Sequence, residues 1–220
     1  VTPLVVTISA TYGAGGTVVA PLVANRLGLP LVERIVTPEL AHELREDDWG
    51  PETVPPDEQA ETGWRRFVQA LAHLPALFGS TMPQPTEPID PEARLRWEAE
   101  GTLRSLLETG GVAMGRAGMV VLGGEPGVFH VRLDGPADAR LRQGMEIEGI
   151  TDEAEGRRRQ ADTDNARLTY LRRFYDCDPT NSRLYHMVLD STAVPLTSCA
   201  ELIVDAATAF RDRPVRAAAR

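Results

Sequence analysis

Apolar residues fall along this chain in two alternating patterns. Short, mostly apolar runs occur at Val5-Val6-Thr7-Ile8, Leu29-Pro30-Leu31-Val32, Val112-Ala113-Met114, Val128-Phe129-His130-Val131-Arg132-Leu133 and His186-Met187-Val188-Leu189-Asp190. Runs of this length, bounded by Gly, Pro and charged residues, are what strands buried on both faces of a sheet require. Between them apolar positions recur at helical spacing: Val18, Val19, Leu22, Val23 and Leu27 before the stop at Gly28 and Pro30; Trp97, Leu103, Leu106 and Leu107 between Asp90-Pro91-Glu92 and Gly110-Gly111; and Leu196, Ala200, Leu202, Ile203, Ala207 and Phe210 after Pro195. Asp134-Gly135-Pro136 turns into a helix carrying Ala139-Arg140-Leu141, and Thr37-Pro38-Glu39 caps another running through Leu44. Strand, turn, helix and strand in this order form βαβ units, so the pattern predicts an α/β domain on a parallel sheet.

Two stretches depart from the alternation. Residues 46–91 are acidic and broken by Pro51, Pro55, Pro56, Pro75, Pro83, Pro85, Pro88 and Pro91, with one helical stripe (Trp64, Phe67, Val68, Leu71, Leu74) that predicts a helix near 58–78. This reads as a partly helical insertion outside the sheet, with a loop over 79–90. From Thr151 to about residue 175 runs a polar helix with Asp152, Glu153 and Glu155 in its first turn and Arg157, Arg158, Arg159, Arg167, Arg172 and Arg173 beyond, the polarity that the helix dipole favours. Arg158 and Asp162 are spaced for an i,i+4 pair, and a solvated, salt-bridged surface explains this helix as well as a binding role does. The expected organisation is one domain over 1–211, with 212–220 a disordered tail.

Composition narrows the function classes. Of 220 residues, 42% are hydrophobic and 25% charged, and no apolar run approaches the roughly 20 residues that span a bilayer. The net charge of −9 argues against a polynucleotide partner and leaves a nucleotide as the better one. Val1 to Ala10 shows neither a basic leader nor a small-residue cleavage site, and two distant cysteines, Cys177 and Cys199, suit a reducing compartment, so the expected location is cytoplasmic. His42, His73, His130 and His186 lack metal-ligand spacing. All 23 basic residues are arginine, so phosphate charge must be met by guanidinium groups, backbone amides or a metal.

The chemistry concentrates where the first strand ends. Thr11-Tyr12-Gly13-Ala14-Gly15-Gly16-Thr17 is a Gly-rich turn opening a helix, where backbone N–H groups and the positive helix terminus converge on one point. Against the phosphate-loop pattern G-x-x-x-x-G-K-[ST], residues 10–17 keep Gly15 and Thr17, but Ala10 stands at the first glycine and Gly16 at the lysine. A ligand-free strand-to-helix turn would leave much the same trace. Glu33-Arg34 and Gly115-Arg116 also follow strands, and ligands in parallel sheets gather outside the carboxyl ends of strands.

Together, Ile8 to Gly16, Glu33-Arg34, Gly115-Arg116, Asp164-Asn165-Ala166-Arg167 with Tyr170, and Tyr185 to Ser191 resemble the cytidylate kinase-like family, a nucleoside-monophosphate kinase branch of the P-loop kinases. The resemblance covers most of residues 4–207 outside the Pro-rich stretch. It implies a three-layer P-loop kinase-like fold, a central parallel sheet with helices on both faces, a helical lid over 151–175, and phosphoryl transfer from ATP with Mg2+ to a nucleoside monophosphate such as CMP or a related small acceptor. By the same resemblance, Gly13, Ala14, Gly15 and Gly16 cradle the donor phosphates and the Thr17 hydroxyl meets the magnesium. Glu33, Arg34 and Arg116 face the acceptor, Arg158 and Arg167 neutralise the transferring group, and Asp164 fixes Arg167 or the magnesium shell. Neither polynucleotide nor membrane is an expected partner, and homo-oligomerisation stays open.

The departures matter as much. The family commonly reads Ile-Ser-Arg-Glu-Tyr-Gly-Ser-Gly-Gly-Arg, whereas Ala10, Thr11 and Thr17 stand here in place of its Arg, Glu and final Arg, and Asn165 replaces the usual lysine after Asp164. The loop therefore brings no cation of its own. An active kinase using lid arginines, a catalytically impaired nucleotide-binding pseudo-kinase, and an interaction protein on the same fold are three readings of these residues.

Overall fold

A computed structural model describes residues 3–33, 91–115 and 117–212, with the backbone alone for residues 91–96, 98 and 99. The expected helices over 38–44 and 58–78, the loop over 79–90, Arg34, Arg116 and the tail beyond Asp212 lie outside the described residues. Two compact units divide the chain, residues 1–34 with 103–220, and residues 35–102. In the second, only the amino-terminal turns of one helix are described.

The first unit is built on five parallel strands: β1 (Val5–Ala10), β2 (Leu31–Val32), β3 (Gly111–Met114), β4 (Val128–Asp134) and β5 (Met187–Asp190). Their order across the sheet is β2-β3-β1-β4-β5. Strand β1 sits at the centre, Val5 aligned with Gly111 on one side and Val128 on the other, and Ala10 with Leu133 at the carboxyl edge. Its Val-Val-Thr-Ile run is buried because both faces are covered, the environment that a continuous apolar strand demands.

Helices α1 (Gly16–Leu27) and α6 (Leu196–Arg211) cover one face. Val19, Val23, Cys199 and Ile203 pack there on Val6, Ile8, Val112 and Val131, while Ala20, Ala24, Ala200 and Ala207 thin the helix faces. Burying each larger aliphatic side chain stabilises the fold by about 1.5–3 kcal/mol. On the other face Leu103 and Leu106 of α2 (Pro91–Thr109), with Leu122 after the short α3 (Gly118–Val121), meet Val5, Ala113 and Val128. Gly28 ends α1 as expected, in the left-handed region at φ 64°, its neighbour Leu29 donating to the Ala24 carbonyl. The remaining α-helices among the described residues are α4 (Ala137–Glu148) and α5 (Glu153–Tyr175), the latter capped by Asp152, which accepts from the Ala154 N–H. No described helix is long and apolar enough to cross a membrane.

One histidine is part of the sheet's interior. His130 is buried in β4 with Nδ1 2.7 Å from the Thr7 hydroxyl, and its backbone N–H donates to Nδ1 of His186 at 2.9 Å. Which of the two donates follows from the ring's tautomer. Burial, reinforced by the neighbouring His186, pushes the His130 pKa down to about 4. The unfolded chain binds this proton near pH 6.5, so stability is full above that pH and falls as the solution is acidified toward 4. We expect a loss of about 2 kcal/mol between pH 6.5 and 5 from His130 alone. Urea unfolding across that range, compared with His130→Asn, checks it: identical pH slopes in the two proteins would refute the assignment.

Candidate functional site

The connection from β1 to α1 is shaped by two left-handed glycines, Gly13 at φ 72° and Gly15 at φ 70°. Gly15 is the N-cap of α1, its carbonyl accepting from Val18 and Val19, so the helix begins with Gly16 and Thr17 at its open end. Inside the turn the Ala14 N–H bonds the Thr11 carbonyl. Among the described residues, no protein acceptor is met by the N–H groups of Gly13, Gly15, Gly16 or Thr17. Four free amides in a five-residue stretch, at a helix N-terminus, make a concavity suited to an anion.

The loop carbonyls are held elsewhere. Arg140 Nη1 donates to the Tyr12 carbonyl at 2.9 Å, Gln143 Nε2 to the Gly13 carbonyl at 2.8 Å and Ser191 Oγ to the Ala14 carbonyl at 2.8 Å. Arg140 also donates to the Gly135 carbonyl at 3.0 Å and to Asp164 Oδ2 at 2.8 Å. Asp164 Oδ1 in turn accepts the Tyr12 N–H at 2.8 Å. The resemblance offered Asp164 as a partner for Arg167 or the magnesium shell; its two oxygens instead anchor the loop and Arg140. The physical reason is the position of α5, which brings Asp164 beside the Tyr12 peptide. Tyr12 itself is buried and its hydroxyl donates to Glu148 at 3.1 Å; burial and that carboxylate hold the phenol's pKa above its ordinary value, so it stays a donor.

At the end of β4, Asp134 takes hydrogen bonds from Thr11 Oγ1 at 2.9 Å and from Arg132 Nη2 at 2.6 Å. Burial raises its pKa, but these donors outweigh burial and hold the carboxyl below its usual range. Arg132 is itself buried, donating to the Pro179 carbonyl as well. These groups support the loop from beneath.

An open cleft of about 520 Å³, counting its solvent-filled mouth, lies over the loop. Gly13, Gly15, Gly16 and Thr17 line one side, Met114 and Gly115 the end of β3, and Thr163 and Arg167 the α5 side. Thr17 is exposed there, and Ala14 is buried beneath the loop without lining the cleft. The expected Arg158 is exposed on α5 and does not line the cleft. It does not pair with Asp162; Arg157 pairs with Glu153 at 2.7 Å instead, and Arg159 with Glu148 at 3.2 Å. Glu33 is exposed just after β2 and lies outside the lining. No group of three or more His, Cys, Asp or Glu side chains that could hold a metal occurs among the described residues.

The two departures from the phosphate-loop pattern are sterically coupled. A Cβ on Gly16 would stand 2.7 Å from the Ala10 Cβ, which is fixed on β1 and cannot swing away. With alanine at the first pattern position, the stem of a lysine at the seventh has no room, so Ala10 and Gly16 behave as one change.

Residues missed in the sequence are Arg140, Gln143 and Ser191. A signal existed for Arg140: it follows the Asp134-Gly135-Pro136 turn at the carboxyl end of β4, on the edge where ligands gather. Ser191 closes the Tyr185 to Ser191 block of the resemblance, which gave it no role, and Gln143 carried no signal.

A parallel sheet ordered β2-β3-β1-β4-β5, with a glycine loop opening at the carboxyl edge of its central strand, defines a P-loop kinase-like α/β protein. Residues 5–193 match the profile of the cytidylate kinase-like family, and the chain belongs to that family. No curated protein sequence matches it. Among solved structures it is similar to an uncharacterized protein from Eubacterium ventriosum, at TM-score 0.55 and 18% identity, over 93% of this chain and 98% of that one. It is also similar to shikimate kinase from Acinetobacter baumannii in complex with shikimate, at TM-score 0.46 and 13% identity over 96% and 97% of the two chains. A gluconokinase from Sinorhizobium meliloti gives TM-score 0.43 and 14% identity over 96% and 92%. Family membership supports a phosphotransferase in general terms.

Proposed function

We propose that the protein transfers the terminal phosphoryl group of ATP to a nucleoside monophosphate of the CMP type. The observation that carries this reading is the set of free loop amides facing a cleft that also takes in Arg167. Phosphoryl transfer asks a protein chiefly for positioning and charge neutralisation. The amides of Gly13, Gly15, Gly16 and Thr17 would receive the donor phosphates. Arg167 would supply the cation that the loop lacks, in the planar geometry that suits phosphate oxygens. Helix α5 would act as the lid, bringing Arg158 over the site as it closes, and Glu33, Arg34 and Arg116 would face the acceptor. Two buried thiols, Cys177 and Cys199, are consistent with action in the cytoplasm.

Magnesium fits this donor set as an ion carried on the phosphates. Thr17 offers one exposed hydroxyl at the cleft, and no carboxylate cluster among the described residues would hold a resident ion. Magnesium is commonly bound by few protein groups together with substrate phosphates, and there it neutralises charge between the phosphoryl oxygens.

The absence of a loop cation, with Ala10 and Thr17 where the family commonly has arginine, favours a second reading, a protein that binds nucleotide without transferring phosphate. Calorimetric titration with ATP and magnesium, followed by a coupled assay across CMP, dCMP, UMP and AMP, separates the two. Binding with turnover on a pyrimidine monophosphate is the expected result. Binding without turnover would establish the second reading, and absence of binding would remove both.

A further inference from the structure

Besides its left-handed glycines and the bond from the Ala14 N–H to the Thr11 carbonyl, the phosphate loop is held by contacts from outside it. Three successive carbonyls, those of Tyr12, Gly13 and Ala14, are each bonded by a side chain from another element: Arg140 and Gln143 of α4, and Ser191 immediately after β5. In a trans peptide the C=O of one residue and the N–H of the next point in opposite directions. Holding the Tyr12 carbonyl therefore aims the Gly13 N–H the other way, and holding the Ala14 carbonyl does the same for the Gly15 N–H. Those two amides have no acceptor among the described residues. The three donors also occupy the negative ends of these peptides, which would otherwise repel an anion.

The partners are themselves fixed. Arg140 spans the Tyr12 and Gly135 carbonyls and Asp164, so its guanidinium cannot turn toward a ligand without breaking three bonds. Ser191 is buried, and its hydroxyl lies within 3.3 Å of the Asp134 carbonyl as well as bonding Ala14. Its own N–H donates to Asp134 at 3.0 Å, which ties the segment after β5 to the end of β4.

We infer that Arg140, Gln143 and Ser191 are positioning residues that set the phosphate loop, before any ligand arrives, in the one orientation that presents its amides to a polyphosphate. The inference rests on the phosphate-site reading above and deepens it. It assigns the task of ordering the loop to three neutral or fully engaged donors outside the loop, so that binding survives without a loop lysine. Arg140 acts through the Tyr12 peptide and is distinct in role from Arg167, which lines the cleft.

The test is titration of 15N-labelled full-length protein with sodium tripolyphosphate at constant ionic strength, followed by amide resonances. In the natural protein the Gly13, Gly15, Gly16 and Thr17 signals move together and saturate. In Ser191→Ala the Gly15 signal starts from a different position and affinity falls about fivefold to tenfold; Gln143→Ala falls about fivefold. Arg140→Lys keeps the charge but loses the fork, and weakens binding at least as much. Arg26→Ala, which removes an exposed ion pair with Glu201 at 3.0 Å, leaves affinity unchanged and controls for net charge. Since Gln143→Ala and Ser191→Ala alter single hydrogen bonds, melting curves identify folded variants to compare. Natural affinity and unchanged Gly13 and Gly15 signals in those variants would overturn the inference while leaving the phosphate site standing. No saturable shift in the natural protein would overturn the phosphate site itself, and the inference with it.

Discussion

Gly13→Ala is expected to destabilise the protein by about 3–5 kcal/mol and to abolish nucleotide binding in whatever fraction stays folded. Two costs add. At φ 72° an alanine sits in the left-handed region, which costs about 1–2 kcal/mol for a residue with a Cβ. The Cβ would also lie 1.8 Å from the Arg140 carbonyl oxygen and 2.6 Å from its carbon. Those atoms are backbone in α4, and α4 is held against the rest of the fold by the buried Leu141. Neither partner can yield by a rotamer change, so the loop must leave α4, and with it the Arg140 and Gln143 bonds to its carbonyls. Urea unfolding with calorimetric ATP titration measures both effects. A midpoint within error of the natural protein, together with unchanged affinity, would show that the loop does not rest on Arg140.

The second large effect belongs to Arg167. Arg167→Ala should lower kcat by about 10²–10³ while KM for ATP shifts less than about threefold. Arg167 is half-buried on α5 and lines the cleft together with the free loop amides. On the proposed reading a cation placed there would act on charge that spreads over the transferring group, and such an interaction appears in the rate more than in ground-state binding. No lysine exists anywhere in the chain to take its place. Arg158→Ala is the paired measurement, because Arg158 is exposed on the same helix. A comparable loss there would mean that α5 moves to bring Arg158 in during turnover. A raised KM with unchanged kcat in Arg167→Ala would assign this residue to binding alone.

Most of the scaffold was legible before the structure. Val5 to Ile8, Val128 to Leu133 and Val112 to Met114 are mostly apolar runs, interrupted only by Thr7, His130 and Arg132, of the kind that a strand covered on both faces buries, and they lie in the three central strands. Gly28 before Pro30 stops α1, and Asp152 opens α5, because caps and breakers act over one or two residues. The Gly-rich loop was legible for the same reason: a left-handed turn leading into a helix leaves a local trace. His130 was less so. Its strand was predicted, but its burial and its contacts with Thr7 and His186 depend on how β1, β4 and β5 align.

By itself, then, the sequence determined the strands, the long helices after the first, fourth and fifth of them, a glycine turn at the carboxyl end of the first strand, and the absence of any lysine to charge it. These follow from periodicity and from the backbone freedom of particular residues, which are properties of neighbours in the chain. Only the tertiary structure decided what holds that turn. Arg140 and Gln143 lie 128 and 130 residues beyond the carbonyls they bond, and Ser191 lies 177 beyond its own. A hydrogen bond across such a separation is set by where α4 and the end of β5 come to rest against β1, and single side chains carry no periodic mark of it. The same placement turned Asp164 toward Tyr12 and Arg140, and set the Ala10 methyl where a side chain at Gly16 would have to pass.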